Sequence, residues 1–190
     1  MKILIGIPTS REIEIECAAS LIGIKRKGRI GVFAPNSYCV DASRNMIVEH
    51  ALEMEYDYIL WVDSDMIVPK EALLRFLKAD KDIICGACSY KVLGCKEAVA
   101  KRLNKDGIFE NITLKEVREA KDLIELDATG FGCVLTKTEI FKKIPKPWFV
   151  YKPDFGEDVY FSVKAKECGY QIWLDPYVKL GHIGKVNYNV

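Results

Sequence analysis

Asp63 and Asp65, one residue apart in the stretch DYILWVDSDMIVP (residues 57–69), are the pair in this chain best placed to do chemistry together. They arrive directly behind an apolar run, residues 58–62, that reads as a buried strand. Two carboxylates held at one apolar edge need a counter-charge. Mg²⁺ or Mn²⁺ supplies it, because hard cations take oxygen ligands and readily keep phosphate oxygens beside them. The competing reading is an exposed Asx turn, and the apolar run in front favours the metal.

Other residues extend this reading. Arg44 lies three and four positions before Ile47 and Val48, so on a helix it continues a buried face into the first turn. A cation pointing that way meets an anion or a carboxylate, and Asn45 follows it directly. In GEDVYFSVKAKECG, Glu157 and Asp158 occupy a helix's first turn. There an acid either caps the helix or, at the rim of a crevice, deprotonates a hydroxyl. His182, set between glycines in GHIG, is a better ligand candidate than His50, which sits mid-helix beside apolar residues.

Strands and helices alternate around these residues. KILIGIP reads as a strand, residues 11–24 as a helix, and RIGVFAP as a second strand. A helix capped by Asp41 runs to about Glu55, and the strand before Asp63 follows. A helix opened by Pro69, a strand over 82–90, and a hairpin with a short helix between 93 and 121 come next. Strand, glycine turn, strand and helix cover 123–144, a helix spans 156–168, and strands over 170–175 and 178–184 close the series. Early alternation implies an α/β fold with a mixed, mostly parallel sheet and helices on both faces. Ligands of such sheets bind beyond the carboxyl ends of the strands. Thr9, Ser10 and Arg11 after the first strand, Asn36 after the second, and Asp63 and Asp65 after the third therefore share one edge.

With 190 residues, 49% hydrophobic and 29% charged, the chain is expected to be one soluble domain. A net charge of +1 argues against a nucleic-acid partner. No apolar run reaches the ~20 residues of a spanning helix, and MKILIGIPTS reads as a core strand rather than a targeting segment. Seven scattered cysteines suggest reduced thiols and a cytoplasmic setting. Cys85 and Cys88 form a lone C-x-x-C in a strand-like run, where packing is favoured over zinc or redox use.

SRNMIVEHALEMEYDYILWVDSDM, ATGFGCVLTKTEIF, GEDVYFSVKAKECGY and GHIG, in this order, resemble the motifs of GT-A-fold glycosyltransferases of the broad family-two type. The Arg-Asn helix also has some similarity to Anp1-like mannosyltransferases. The resemblance spans nearly the whole chain, implying one GT-A (Rossmann-like) domain with a nucleotide-binding part over about 1–90 and an acceptor and catalytic part over about 91–190. It implies that Asp65 ligates Mn²⁺ or Mg²⁺, that Asp63 contacts ribose or metal, and that His182 completes the metal shell. Pro8, Thr9, Arg11, Asn36, Arg44, Asn45 and Ser64 are then expected along the nucleotide. Gly130, Phe131 and Gly132 would lie beneath the donor sugar. Asp158 matches the base of inverting members, ahead of Glu157. In a retaining mechanism it would position the acceptor instead.

The expected substrates are a UDP- or GDP-sugar and an acceptor glycan, lipid or small molecule. The aromatic stretch PKPWFVYKPDF is a candidate acceptor platform or a contact surface in a homo-oligomer. Two alternatives stand beside this reading. One is a haloacid-dehalogenase-like phosphatase with Asp63 as nucleophile. There, however, the motif normally follows the first strand and not the third. The other is a protein that binds nucleotide-sugars without turnover.

Overall fold

A computed structural model describes residues 1–9 and 12–184. In chain order its elements are β1 (Lys2–Gly6), α1 (Ile15–Ile22), β2 (Arg29–Phe33), α2 (Val40–Glu53), β3 (Tyr58–Val62) and β4 (Met66–Ile67). Then come α3 (Ala72–Ala79), β5 (Ile83–Ala87), β6 (Glu97–Leu103), β7 (Phe109–Thr113), α4 (Leu114–Glu119), β8 (Ile124–Leu126) and β9 (Ala128–Thr129). Finally there are β10 (Cys133–Lys137), α5 (Ile140–Lys143), α6 (Glu157–Glu167), β11 (Ile172–Lys179) and β12 (Gly181–His182).

Seven of the described strands form one sheet in the order β2-β1-β3-β10-β5-β11-β8. Strands β2, β1, β3, β5 and β11 run one way, while β10 and β8 run against them. The sheet is thus mixed and mostly parallel, as the alternating pattern implies. Side chains alternate across it: Leu4 of β1 packs on one face, and Ile3 and Ile5 on the other. The first face is covered by α2 and α6 through Ile47, Val48, Ala51, Phe161 and Ala165. The second is covered by α1 and α3 through Cys17, Leu21, Leu73 and Phe76. Cys85 and Cys88 fall on opposite faces, both buried, as strand geometry requires of positions three apart.

Several boundaries differ from the sequence expectation. Helix α1 starts at Ile15 rather than near Arg11: Glu14 is extended, and its amide donates to the Ser64 carbonyl instead of into a helical turn. Cys39, not Asp41, is the N-cap residue of α2. Asp41 lies in the first turn, where its carboxylate accepts from the amides of Ala42 and Tyr151. Pro69 precedes α3, its carbonyl accepting from the amide of Ala72. Strand β5 stops at Ala87. Instead of strands at 170–175 and 178–184, one long strand, β11, runs through Pro176 to Lys179 with a register shift against β5, and the rest of the second run forms the short β12, which pairs with β4. At the shift, buried Asp175 accepts from Nε and Nη2 of Arg75 at 2.8 and 2.9 Å and from the Tyr177 amide at 2.9 Å. The hairpin and short helix expected between 93 and 121 are β6, β7 and α4. Of the aromatic residues in the stretch PKPWFVYKPDF, Trp148 and Phe149 belong to the core, and Tyr151 and Phe155 are exposed.

Candidate active site

The crevice lies past the carboxyl ends of β1, β2 and β3. Behind β3 the chain turns sharply. The Asp63 amide donates to Gly132, the Met66 amide returns to the Asp63 carbonyl, and the Ile183 amide donates to the Asp65 carbonyl. Strand β4 then pairs with β12, setting His182 opposite Met66. The turn that carries both aspartates is therefore tied to the glycine loop before β10 and to the segment after β11.

Two cavities open here. One, of about 430 Å³, is lined by Pro8, Thr9, Glu12, Glu14, Tyr38 and Ser43 among others. The second, of about 280 Å³, gathers Arg44, Asp63, Asp65, Gly130, Phe131, Gly132, Glu157, Asp158 and His182. Pro8, Val40, Ser64 and Asp65 line both, so Asp65 stands at the junction. Asn36 is exposed and bridges Thr9 from the adjoining loop. Arg11 lies outside the described residues.

Arg44 is 2% exposed. Its Nε donates to Glu157 Oε1 and its Nη2 to Asp63 Oδ1, both at 3.0 Å. Of the two readings open for Arg44, an anion or a carboxylate, the structure supplies carboxylates. Nη1 is buried with no partner among the described residues, leaving one donor for a ligand in the cavity. Burial works against the guanidinium charge, but Asp63 and Glu157 outweigh it and hold Arg44 protonated. Burial raises the Asp63 carboxyl, opposed by Arg44 and reinforced by Asp65 and Glu157.

Asn45 does not face the crevice floor as expected. Its amide donates to the carbonyls of Asp41 and Phe149, and its Oδ1 accepts from the amides of Trp148 and Phe149. These four bonds use its hydrogen-bonding capacity to pin the loop before α6, leaving nothing for a nucleotide.

Both first-turn acids border the smaller cavity, Glu157 buried and held by Arg44, Asp158 with no cationic partner among the described residues. Asp158 Oδ1 accepts from the Val159 amide at 2.7 Å, and Oδ2 has no partner among the described residues. A Cβ on Gly130 would sit an ordinary 3.5 Å from that oxygen but only 2.5 Å from a Val99 methyl, so it is the packing on Val99 that needs glycine here. Burial, then the neighbouring Glu157, raises the Asp158 pKa, against the Val159 amide and Arg44.

His182 Nδ1 lies 2.8 Å from the Ser89 carbonyl, which can only accept, so the proton is on Nδ1. The other ring nitrogen faces Asp65 Oδ1 at 3.7 Å. A cation placed between them would be shared by that nitrogen's lone pair and the carboxylate. A histidine anchored through Nδ1 to a carbonyl is also the usual arrangement of a metal ligand. No cluster of three or more metal-ligating side chains occurs among the described residues. Asp65 and His182 fit Mn²⁺ or Mg²⁺ that keeps waters and substrate phosphates as remaining ligands. The second oxygen of Asp65 pairs with Lys91, a residue that no motif reading reached.

The thiols beneath the site are not poised for chemistry. Burial pushes Cys17 up to about 11 and Cys85 and Cys88 to about 12. They stay protonated and pack.

No protein-family model matches this sequence, and no curated protein matches it. Solved structures do. A197 from STIV aligns with a TM-score of 0.69 at 20% identity, over 97% of this chain and 87% of that one. GalNAc-T7, crystallised with UDP, GalNAc and Mn²⁺, aligns at 0.63 and 14% identity over 98% of this chain. S. aureus TarS 1–349, in complex with UDP-GlcNAc, aligns at 0.56 and 17% identity over the full length of this chain. The fold is GT-A. This GT-A chain spans 44% of the GalNAc-T7 chain and 60% of the TarS chain, so it matches only part of either. A haloacid-dehalogenase-like phosphatase is not supported, since the fold differs and Asp63 is tied to Arg44. No described helix is long and apolar enough to cross a membrane.

Proposed function

We propose that this protein is a metal-dependent glycosyltransferase that moves a sugar from a UDP- or GDP-sugar to an acceptor hydroxyl with inversion. The observation that carries the proposal is the shared cavity: Asp65, His182 and Asp158 converge across the Gly130–Phe131–Gly132 loop. Asp65 and His182 would hold Mn²⁺ or Mg²⁺, which when bound offsets the charge on a departing diphosphate. The UDP and Mn²⁺ in the GalNAc-T7 crystal and the UDP-GlcNAc in the TarS complex support this assignment.

The chain's own residues divide the work. The larger cavity, floored by Pro8, Thr9 and Ser43, takes the nucleoside. The buried hydroxyl of Ser43, unpartnered among the described residues, is one donor or acceptor for it. Arg44 Nη1 donates to a donor oxygen while its other nitrogens fix Asp63 and Glu157. Asp158 Oδ2 takes the proton of the acceptor hydroxyl as that oxygen bonds to the anomeric carbon. The anomeric carbon–phosphate oxygen bond breaks, and its electron pair leaves with the nucleoside diphosphate. A carboxyl whose pKa is raised is suited to that transfer near neutral pH.

Thermal stability with UDP, GDP, CDP or dTDP, with and without Mn²⁺, tests the reading. A ligand at about 100 times its Kd adds roughly 2.7 kcal/mol. One diphosphate should stabilise the protein only with Mn²⁺, Asp65→Asn should abolish the shift, and Asp158→Asn should keep it while losing transfer. Equal loss of binding in both variants overturns this division of roles.

A further inference from the structure

The Asp65 carboxylate already has a cation on it. Lys91 Nζ forms an ion pair with Oδ2, while Oδ1 faces His182. Lys91 sits in the segment between β5 and β6, two residues after Ser89, whose carbonyl orients the His182 ring. Ser89 is itself fixed by a bridge to Ala98. One short segment therefore supplies both the charge that satisfies Asp65 and the acceptor that sets the tautomer of its neighbour.

The charges around the smaller cavity do not balance. Asp63 and Glu157 share Arg44, Asp65 has Lys91, and Asp158 has no cationic partner within ion-pairing distance among the described residues. Four carboxylates face two cationic side chains, a deficit that a divalent ion would fill. An ion held by Asp65 and His182 would stand beside the Lys91 ammonium, and like charges at such separations repel. Arg44 cannot move, being buried and held twice. Lys91 can: its side chain is 40% exposed, and a lysine is a point charge on a flexible stem. The anion that arrives with the metal, a diphosphate, is what a displaced ammonium would bind.

Resting on the metal-dependent reading above, we propose that Lys91 is a tethered cation that occupies Asp65 before the metal binds and passes to the donor's diphosphate once it has. Lys91 thus has two opposite effects. It competes with the metal in the absence of substrate, and it holds the diphosphate in its presence.

Mn²⁺ affinity, read by electron paramagnetic resonance of the free ion without nucleotide, tests the first half. Removing the charge in Lys91→Met should tighten Mn²⁺ binding about tenfold. Lys91→Arg, which keeps the charge, should bind Mn²⁺ as the unaltered protein does. At saturating Mn²⁺, inorganic pyrophosphate should bind Lys91→Met roughly tenfold more weakly, as loss of a charge-assisted contact requires. Matched melting curves without ligand confirm that each variant folds. Unchanged or weaker Mn²⁺ binding in Lys91→Met overturns the proposal, as does unchanged pyrophosphate binding. Should the unaltered protein and Asp65→Asn bind Mn²⁺ alike, the metal-site reading itself falls.

Discussion

Arg44 and Glu157, 113 positions apart in the chain, meet in a buried ion pair at 3.0 Å. Through the same guanidinium Glu157 is linked to Asp63, so one side chain ties the strand end that carries the aspartates to the helix that carries Asp158. The guanidinium also lies over Phe131 and Phe149, with its carbon 5.3 and 5.9 Å from their ring centres. It therefore joins the polar site to the aromatic core.

Replacing Arg44 by Met should cost about 3 kcal/mol, because Glu157 is left as an uncompensated buried carboxylate, while Asp63, partly exposed at the cavity, loses its partner at smaller cost. Lysine should not restore it, since a point charge cannot serve both acceptors in the fixed fork of a guanidinium. Adding Glu157→Gln to Arg44→Met should return part of the loss. Urea unfolding of the single and double variants checks this, and strictly additive losses would show that the pair is not coupled.

Asp158 sets the pH dependence. Burial and Glu157 both disfavour its charged form, so the acidic limb of transfer should lie above the ordinary aspartate value of 3.8. Glu157→Gln removes one of those causes, and the limb should move to lower pH. A raised carboxyl contributes stability that is present below 3.8 and is lost as pH rises through the folded-state value. Asp158→Asn, neutral throughout, should therefore melt higher than the unaltered protein at neutral pH while being inactive. A lower melting temperature at pH 7, or an unmoved limb in Glu157→Gln, contradicts the assignment.

The edge of the sheet was legible because each strand end carries its own local signal, an apolar run closed by polar residues. Asp63 with Asp65, Thr9 and Asn36 stand where that pattern places them. Applied to β5, the same rule would have reached Ser89 and Lys91, which follow its carboxyl end as Thr9 follows that of β1. Long-range relations left no such trace. That Arg44 takes Glu157 and leaves Asp158 without a cationic partner depends on how α6 docks against α2, and first-turn acids look alike in sequence. The α1 boundary was hidden for the same reason, because the Glu14 amide bonds to Ser64 instead of into a helical turn.

Asn45 tests the aromatic loop. Alanine there leaves the amides of Trp148 and Phe149 without their shared acceptor and should cost about 2–3 kcal/mol. Aspartate keeps that acceptor but cannot donate to the carbonyls of Asp41 and Phe149, so it should not rescue. Because the effect reaches the site through Phe149, transfer should fall with metal-dependent nucleotide affinity nearly intact. Direct loss of nucleotide binding in Asn45→Ala, with the fold retained, would return Asn45 to the donor site.

Gly130 and Gly132 separate the glycine loop's two tasks. A Cβ at Gly130 would lie 2.5 Å from a Val99 methyl and 3.5 Å from Asp158 Oδ2. Val99 has a short, stiff side chain, so the loop itself must shift, and it does so beside the proposed base. A Cβ at Gly132 would lie 2.4 Å from the terminal methyl of Met66, the far end of a flexible side chain. Gly132→Ala should therefore cost about 1 kcal/mol of stability and little activity. Gly130→Ala should lower transfer at least tenfold (about 1.4 kcal/mol of barrier) while binding UDP and Mn²⁺ as before. Parallel measurements of kcat and nucleotide affinity decide it. If Gly132→Ala proves the more damaging to kcat, the oxygen beside Gly130 is not the one that takes the proton.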